Sequence, residues 1–577
     1  MLSVETKRVA QECTFEAIDG IRLFYRYWPA PHSLQHRQAI VILHRGHEHS
    51  GRVSHLVDEL NLPDWDFFAL DARAHGKSEG HQDANTTMAT FVQDLDTFIR
   101  HLRSNYRLSE ENIAIVAQSL GAVIASAWAH DYAPNIRCLV LAAPAFRVKL
   151  YVPFARPALA LWHAVVGDFF VNSYVRGKAL THDPDRAATY ETDPLIKRPI
   201  SVRVLLSLDQ MAHRVVSDAT AIRQPVLMLL SGSDWVVREA PQRDFYDRLG
   251  TADRNWEVFE GLRHDTLGEL NRAAPIALIR GFVQRSFASK PSLIEGGNFT
   301  RSEYESLQRP LPWYSPRTWA FASQRLFMRT LGLLSDGMRL GHKTGYDSGA
   351  SLDYVYRNQP AGITPLGKLF DYFYLNAPGW QGVRVRKQLL EELLVQAMQR
   401  LNRDGRPIHL LDIAAGQGRY VLEGISKSGI KPSSIVLRDF DANNVTQGNA
   451  NLKLPKARFE LADAFDTSSY RPLSANIGIV SGLFELFPDN QPVRTALDGL
   501  ASSIESGGFL IYTGQPWHPQ LEMIARTLSS HRGGKPWIMR RRTQEELDEL
   551  ITRAGFRKIE QRIDPNGLFT VSLAERI

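Results

Sequence analysis

The sequence predicts two successive α/β folds, and three observations carry the prediction. At 577 residues the chain is longer than one hydrophobic core supports, since domains run on the order of 100–200 residues. An apolar, β-branched run, Ile113-Ala114-Ile115-Val116, passes straight into a helical stretch, Leu120 to His130, through Ala117-Gln118-Ser119-Leu120-Gly121. A second strand, turn and helix follow one another in His409-Leu410-Leu411-Asp412-Ile413-Ala414-Ala415-Gly416-Gln417-Gly418-Arg419-Tyr420. The expected organisation is a first fold over residues 1–290 with an inserted lid at about 146–215, a linker and helical segment over 291–340, and a second fold over 341–577.

In chain order, the strand Ala39-Ile40-Val41-Ile42-Leu43 opens onto His44-Arg45-Gly46-His47-Glu48-His49. The turn at Ser119 sets a serine between small residues, which lets strand and helix approach and holds the hydroxyl at the strand end in strained geometry. After Pro225-Val226-Leu227-Met228-Leu229-Leu230 comes Ser231-Gly232-Ser233-Asp234, and after Trp256-Glu257-Val258-Phe259 comes Glu260-Gly261-Leu262-Arg263-His264. The order Ser, Asp, His at strand ends is that of α/β-hydrolases. Taken singly, each also admits a plain structural reading: Ser119 as a buried serine at a strand end, Asp234 as a turn cap and His264 as a surface histidine. Together they read as nucleophile, orienting acid and general base. A backbone N–H after Leu43 would join that of Leu120 in an oxyanion hole. The helix Ala273 to Phe287 closes the fold.

The stretch His44 to Arg52 resembles the H-G-x-x-E-H-S-x-R signature of the monoacylglycerol lipase and lysophospholipase family, and Asp71-Ala72-Arg73-Ala74-His75-Gly76-Lys77-Ser78 is similar to that family's D-x-R-G-H-G-x-S. The resemblance implies that Gly46 supplies the second oxyanion N–H and that the substrate is a lipid-like ester. Arg45 stands where the family has glycine, and Ala117 where the usual nucleophile motif has one. The histidines of this run fit no zinc spacing, so no metal is expected. Within the insertion, Tyr151 to Val166 is apolar and aromatic. It suits either a lid over an acyl chain or a lid packed on the core, and Arg156, Pro157 and Asp168 interrupt it too often for a membrane span.

In the second fold, Leu389, Leu390, Leu393, Leu394 and Met398 mark a helix that leads into the strand at His409. The turn with Gly416 and Gly418 resembles motif I of class I methyltransferases that use S-adenosylmethionine, where a cofactor lies against backbone free of Cβ atoms. Its spacing lacks the G-x-G-x-x-G of a dinucleotide site. The resemblance implies cofactor contacts from Asp412 near the amino-acid part and from Ala414, Gly416 and Gly418 in the turn. It further implies Asp439 at the ribose hydroxyls and Asp463 with Ala464 at the adenine. The segment after Asn476-Ile477-Gly478-Ile479-Val480 has neither an N-P-P-Y-type tetrapeptide nor a cysteine, which argues against amino methylation of adenine or glutamine and against C5-pyrimidine methylation. His518 is a candidate base in the loop after Phe509-Leu510-Ile511-Tyr512, and Arg540-Arg541-Arg542 reads as a solvated basic edge.

The net charge of +6 is modest for this length and does not point to nucleic acid. With 2 cysteines, a disulfide framework is excluded, and the polar start Ser3-Val4-Glu5-Thr6-Lys7-Arg8 has no signal-type apolar core, so a cytoplasmic protein is expected. The basic, apolar-rich stretch Trp319 to Met338 suits packing between the domains or peripheral membrane contact. Nearly end to end, including Gly345 to Gly349 and Asp353 to Asn358, the chain resembles bacterial fusions of an α/β-hydrolase with a class I methyltransferase. The expected function is bifunctional: a serine esterase of lipid-like esters joined to an S-adenosylmethionine-dependent methyltransferase of a small-molecule or lipid acceptor. The rival readings are an RNA or protein methyltransferase in the second half, or a scaffold protein with one inactive half.

Overall fold

A computed structural model describes residues 7–31, 37–81, 86–289, 298–470 and 474–577. The chain divides into two compact units, Met1–Ile294 and Glu295–Ile577. The linker motifs Lys290-Pro291-Ser292 and Glu295-Gly296-Gly297 lie outside the described residues.

The first unit is built on an eight-stranded sheet. Its strands are β1 (Gln11–Glu16), β2 (Arg22–Trp28), β3 (Ala39–Leu43), β4 (Asp66–Leu70), β5 (Ile113–Gln118), β6 (Cys138–Ala142), β9 (Val226–Ser231) and β10 (Arg254–Phe259), and β7 (Phe170–Asn172) and β8 (Pro199–Ser201) form a separate two-stranded antiparallel sheet within the insertion. The spatial order is β1-β2-β4-β3-β5-β6-β9-β10, with β2 antiparallel to its neighbours and the strands from β4 to β10 mutually parallel. This is the α/β-hydrolase arrangement. Strands β3 to β6 and β9 are buried along their whole length, as near-continuous Val, Ile and Leu runs require when helices cover both faces of a parallel sheet. On one face, Ile40, Ile42, Val116, Val140 and Leu229 pack against Ile276, Ile279 and Phe282 of the helix Ala273–Ala288.

The second unit holds a seven-stranded sheet of β11 (His409–Asp412), β12 (Ser434–Asp439), β13 (Ala457–Leu461), β14 (Ala475–Val480), β15 (Ile504–Gly514), β16 (Phe556–Ile563) and β17 (Thr570–Arg576). The order is β13-β12-β11-β14-β15-β17-β16, parallel from β13 to β15, with β17 antiparallel to both of its neighbours. Alternate residues sort to the two faces: Leu410, Ile435 and Ile477 pack on the long helix Pro378–Arg403 through Leu390, Leu394 and Met398. Leu411, Val436 and Leu510 meet Leu497, Leu500 and Leu547 on the other face.

The stretch 291–340, expected as linker and helical segment, is in its described part largely helical, and it packs inside the second unit. Helices Asn298–Gln308 and Pro316–Arg329 bond the segment near Leu521–Thr527, with Arg526 Nη1 donating to Arg309 O at 2.6 Å and Arg325 Nη1 to Arg526 O at 2.8 Å. The stretch Trp319 to Met338 is broken at Thr330 rather than being one helix, and resumes as the helix Asp336–Thr344. Among the described residues no helix is long and apolar enough to cross a membrane.

Candidate functional sites

Strand β5 ends at Gln118 and the helix Leu120–Tyr132 begins at once, which forces Ser119 to φ 53° and ψ −113°. A positive φ is strained for a residue with a Cβ. Gly121 is required sterically, because a Cβ there would lie 2.7 Å from His44 O and 2.8 Å from Leu43 O. Ala117 is fully buried in β5, where its methyl is accommodated. His264 Nε2 lies 2.8 Å from Ser119 Oγ, and His264 Nδ1 lies 2.8 Å from Asp234 Oδ2. The other oxygen of Asp234 accepts the Val236 and Val237 N–H groups at 2.7 and 2.9 Å. Burial works against the Asp234 carboxylate, but His264 and these two amides outweigh it and hold its pKa below the ordinary value.

Gly46 sits against Leu120, since a Cβ added to it would be 3.6 Å from Leu120 Cδ2. The Leu120 N–H opens its helix and is one of the amides that no helical carbonyl reaches. His44 fastens the loop between them. Its Nε2 accepts Ala72 N–H at 3.0 Å, so the neutral ring carries its proton on Nδ1 and donates it to Arg45 O at 2.6 Å. The Arg45 side chain is 3% exposed, donates to Glu48 at 3.0 and 2.6 Å and pairs with Asp265 at 3.2 Å. Asp265 also accepts from Arg186 Nε at 2.5 Å, and Gln118 Nε2 donates to both Asp265 Oδ1 and His264 O at 3.2 Å. Arg45 is thus taken up by a buried ion network that braces the segment carrying His264. Its neighbours Asp265 and Arg186 were not singled out from the sequence; the adjacency of Asp265 to His264 was the one available signal.

His47 and His49 bond the insertion, through Lys197 O at 2.8 Å and Asp193 Oδ2 at 2.9 Å. In the insertion, no residue of the helix Ala155–Val166 is buried. Phe154 is 84%, Leu161 69% and Val165 72% exposed, so these side chains are not packed on the core.

In the second unit β11 leads into the turn with Gly416 at φ 55° and Gly418 at φ 66°. A Cβ at Gly416 would meet nothing within 4 Å, whereas one at Gly418 would lie 2.8 Å from Leu437 Cδ1 and 3.0 Å from Phe459 Cζ. Gly416 therefore leaves open space beside the backbone, and Gly418 is needed for packing. Asp412 is buried beneath the turn, where it accepts Tyr420 Oη–H at 2.6 Å and Ala414 N–H at 3.2 Å. Burial pushes its pKa up to about 7. Asp439 ends β12, accepts Gly416 N–H at 2.8 Å through one oxygen, and accepts Asp441 N–H at 2.9 Å and Asn444 Nδ2–H at 3.1 Å through the other. Asp463 is exposed and accepts Phe465 N–H at 2.9 Å, while Ala464 O accepts Tyr470 Oη–H at 2.8 Å. Phe440, not singled out from the sequence, is 78% exposed beside Asp439.

Beyond the carboxyl ends of β14 and β15 lies a cavity of about 290 Å³, lined among others by Met338, Phe373, Trp380, Glu485, Gln515 and His518. The sheet reverses its strand order between β11 and β14, and such a switch point is where open α/β sheets bind ligands. Burial pushes the His518 pKa down to about 4, and its Nδ1 accepts Gln520 N–H at 3.0 Å. The neutral ring thus carries its proton on Nε2, so His518 is a donor there rather than the candidate base. The arginine triplet is also not a solvated edge: Arg540, Arg541 and Arg542 are 3%, 6% and 4% exposed. Arg542 donates to the carbonyls of Phe484, Phe487 and Asp489, and Arg541 to Pro516 O, so the triplet ties down the loops at the cavity.

A family model described as a putative methyltransferase matches residues 279–576, and one described as serine aminopeptidase, S33, matches residues 34–271. The uncharacterized protein YnbC of Escherichia coli (strain K12) is 48% identical over 588 residues, which cover 99% of this chain and 100% of that one. A monoacylglycerol lipase of Mycolicibacterium smegmatis is 27% identical over 266 residues, 45% of this chain and 91% of the lipase. Among solved structures, the monoacylglycerol lipase of Paleococcus ferrophilus aligns with a TM-score of 0.40 at 21% identity, covering 48% of this chain and 99% of that one. The chain belongs to the putative methyltransferase family, and it carries ahead of that domain a serine hydrolase-family domain related to monoacylglycerol lipases.

Proposed function

We propose that the protein is a bifunctional enzyme, a serine esterase of lipid-like esters joined to an S-adenosylmethionine-dependent methyltransferase. The observation that carries the first activity is the relay Ser119 Oγ, His264, Asp234 with both links at 2.8 Å. His264 Nε2 takes the Ser119 proton as Oγ attacks the ester carbonyl, and Asp234 fixes the tautomer and stabilises the imidazolium. The N–H groups of Gly46 and Leu120 receive the developing oxyanion. His264 then protonates the leaving alcohol, and water releases the acyl group by the same route. The exposed apolar side chains of the lid helix support a lipid-like substrate and peripheral membrane contact, because contiguous apolar surface of this kind marks interaction sites.

For the second activity, the open space at Gly416 is a cradle into which a cofactor fits. The Asp439 carboxylate borders it through Gly416 N–H and retains lone pairs for ribose hydroxyls beyond its present bonds, and Asp463 stands just past the end of β13, two strands from β11. Phe440 offers an exposed ring for the adenine face. Asp412 shapes the turn from below through Ala414 N–H. S-adenosylmethionine, when bound, supplies an electrophilic methyl group.

Replacing Ser119 by alanine should lower ester turnover by roughly 10⁴- to 10⁶-fold and abolish fluorophosphonate labelling, while S-adenosylmethionine binding by calorimetry is unchanged. Labelling that persists in that variant refutes the nucleophile assignment. Absence of binding heat in the wild-type chain refutes the methyltransferase reading.

A further inference from the structure

The cavity at the ends of β14 and β15 combines an apolar wall with polar side chains, among them Gln515, whose amide is left unsatisfied. Gln515 is 3% exposed, and among the described residues neither its Nε2 nor its Oε1 has a hydrogen-bond partner. Buried amides of this kind are costly unless a ligand or water completes them. His518 Nε2 lies 2.9 Å from where a Cβ of Gly379 would stand, and Gly379 itself lines the cavity. Among the described residues the indole N–H of Trp537, also on the wall, has no partner.

The charges facing this space nearly cancel. Arg386 is 4% exposed, pairs with Glu485 at 3.4 Å and lies 4.9 Å from the centre of the Phe569 ring. Asp347 is taken up by Ser530 Oγ–H at 2.6 Å and His531 at 3.0 Å. A ligand bearing net charge would meet facing side chains whose charges are already paired with one another. A hydroxyl, in contrast, satisfies both kinds of open group at once: its oxygen accepts from Gln515 Nε2–H or His518 Nε2–H, and its hydrogen is donated to Gln515 Oε1 or the Glu485 carboxylate. Most of the remaining wall is apolar, with Met328, Met338, Phe373, Tyr374 and Trp380 on it beside the amides of Gln324 and Gln520, which suits an aromatic or hydrocarbon body.

We propose that this cavity is the methyl-acceptor site and that it takes an uncharged apolar compound of the phenol class, whose single hydroxyl is held by Gln515 and His518. The proposal rests on the methyltransferase reading of the second unit. His518 acts here as a donor that positions the hydroxyl, and Glu485 is the nearby carboxylate able to accept its proton.

The test uses the full-length protein and four probes of matched size: 4-hexylphenol, 4-hexylanisole, hexylbenzene and 4-hexylbenzoate. Binding is read by calorimetry and by the fluorescence of the chain's tryptophans, two of which, Trp380 and Trp537, line the cavity. The phenol should bind at least tenfold more tightly than each of the other three. Gln515→Leu should weaken the phenol about tenfold and leave hexylbenzene unchanged or tighter, since one hydrogen bond of this kind is worth about that factor. Met338→Phe, which adds bulk to the apolar wall, should weaken all four. Equal affinity for phenol and hexylbenzene overturns the proposal, as does tighter binding of the benzoate or an unchanged phenol affinity in folded Gln515→Leu. S-adenosylmethionine heat on the same preparation separates the two readings. Cofactor binding without phenol binding overturns the acceptor assignment alone, and phenol binding without cofactor binding overturns the methyltransferase reading while supporting the ligand class.

Discussion

The two glycines of the second unit's turn should fail in different ways when each is replaced by alanine. Both lie at positive φ, 55° at Gly416 and 66° at Gly418, where an L-residue costs about 1–2 kcal/mol. At Gly416 that is the whole cost, because the added Cβ meets nothing within 4 Å. At Gly418 the Cβ lands 2.8 Å from Leu437 Cδ1 and 3.0 Å from Phe459 Cζ, both in buried side chains, which adds about 1–3 kcal/mol of overpacking. Gly416→Ala should therefore lower the melting temperature of the second unit by only about 2–6 °C, and Gly418→Ala by roughly twice as much. S-adenosylmethionine affinity should order the other way per degree of stability lost. Gly416→Ala puts a methyl in the open cradle and should weaken binding at least tenfold, and Gly416→Val should abolish it. Calorimetric melting of both variants with a cofactor titration of each provides the check. A Gly416→Ala protein that binds S-adenosylmethionine as the wild type does would refute the cradle, and a Gly418→Ala protein no less stable than Gly416→Ala would refute the packing argument.

Three further outcomes follow from the same structure. Asp412, raised to about 7 by burial, binds its proton more tightly folded than unfolded, so the second unit should be most stable below about pH 4 as far as this group is concerned. That contribution should be lost as pH rises towards 7, and Asp412→Asn should remove it, as read by melting temperature against pH; a pH dependence unchanged in the variant would contradict the burial argument. Arg45→Gly should destabilise the first unit by about 3–5 kcal/mol by leaving Glu48 and Asp265 short of a cation, while kcat/KM of the folded fraction falls less than tenfold because the proposed oxyanion donor is main chain; urea unfolding and ester kinetics measure the two halves of this statement. If the lid helix covers an acyl chain, kcat/KM should rise with ester chain length by up to about 0.8 kcal/mol per CH₂ until the site is full, and a flat profile would point to a small-ester enzyme.

Much of the molecule was legible from local pattern. The strands β3, β5, β6, β9 and β14 were readable because a buried parallel strand is an uninterrupted apolar run, and each carries its loop to the carboxyl edge of its own sheet. The order Ser119, Asp234, His264 could be read for the same reason, since strand ends fix where side chains emerge. The boundaries of the second unit were less legible: the Pro-rich segment near Arg309 reads as linker, yet the helices flanking it find partners more than two hundred positions away, at Arg526.

What the sequence by itself determined is the pair of folds, the relay and the glycine turn, all of which follow from short-range periodicity and from residues a fixed few positions past a strand. Only the tertiary structure decided what Arg45, Arg540–Arg542, His518 and Gln515 do. A lone arginine or histidine is ambiguous in sequence because its role depends on which distant groups share its buried space. Arg45 meets Asp265, Arg542 meets the carbonyls of Phe484 and Phe487, and His518 receives a backbone N–H that dictates its tautomer. Long-range electrostatics in a low-dielectric interior, unlike strand periodicity, leaves no trace in neighbouring residues.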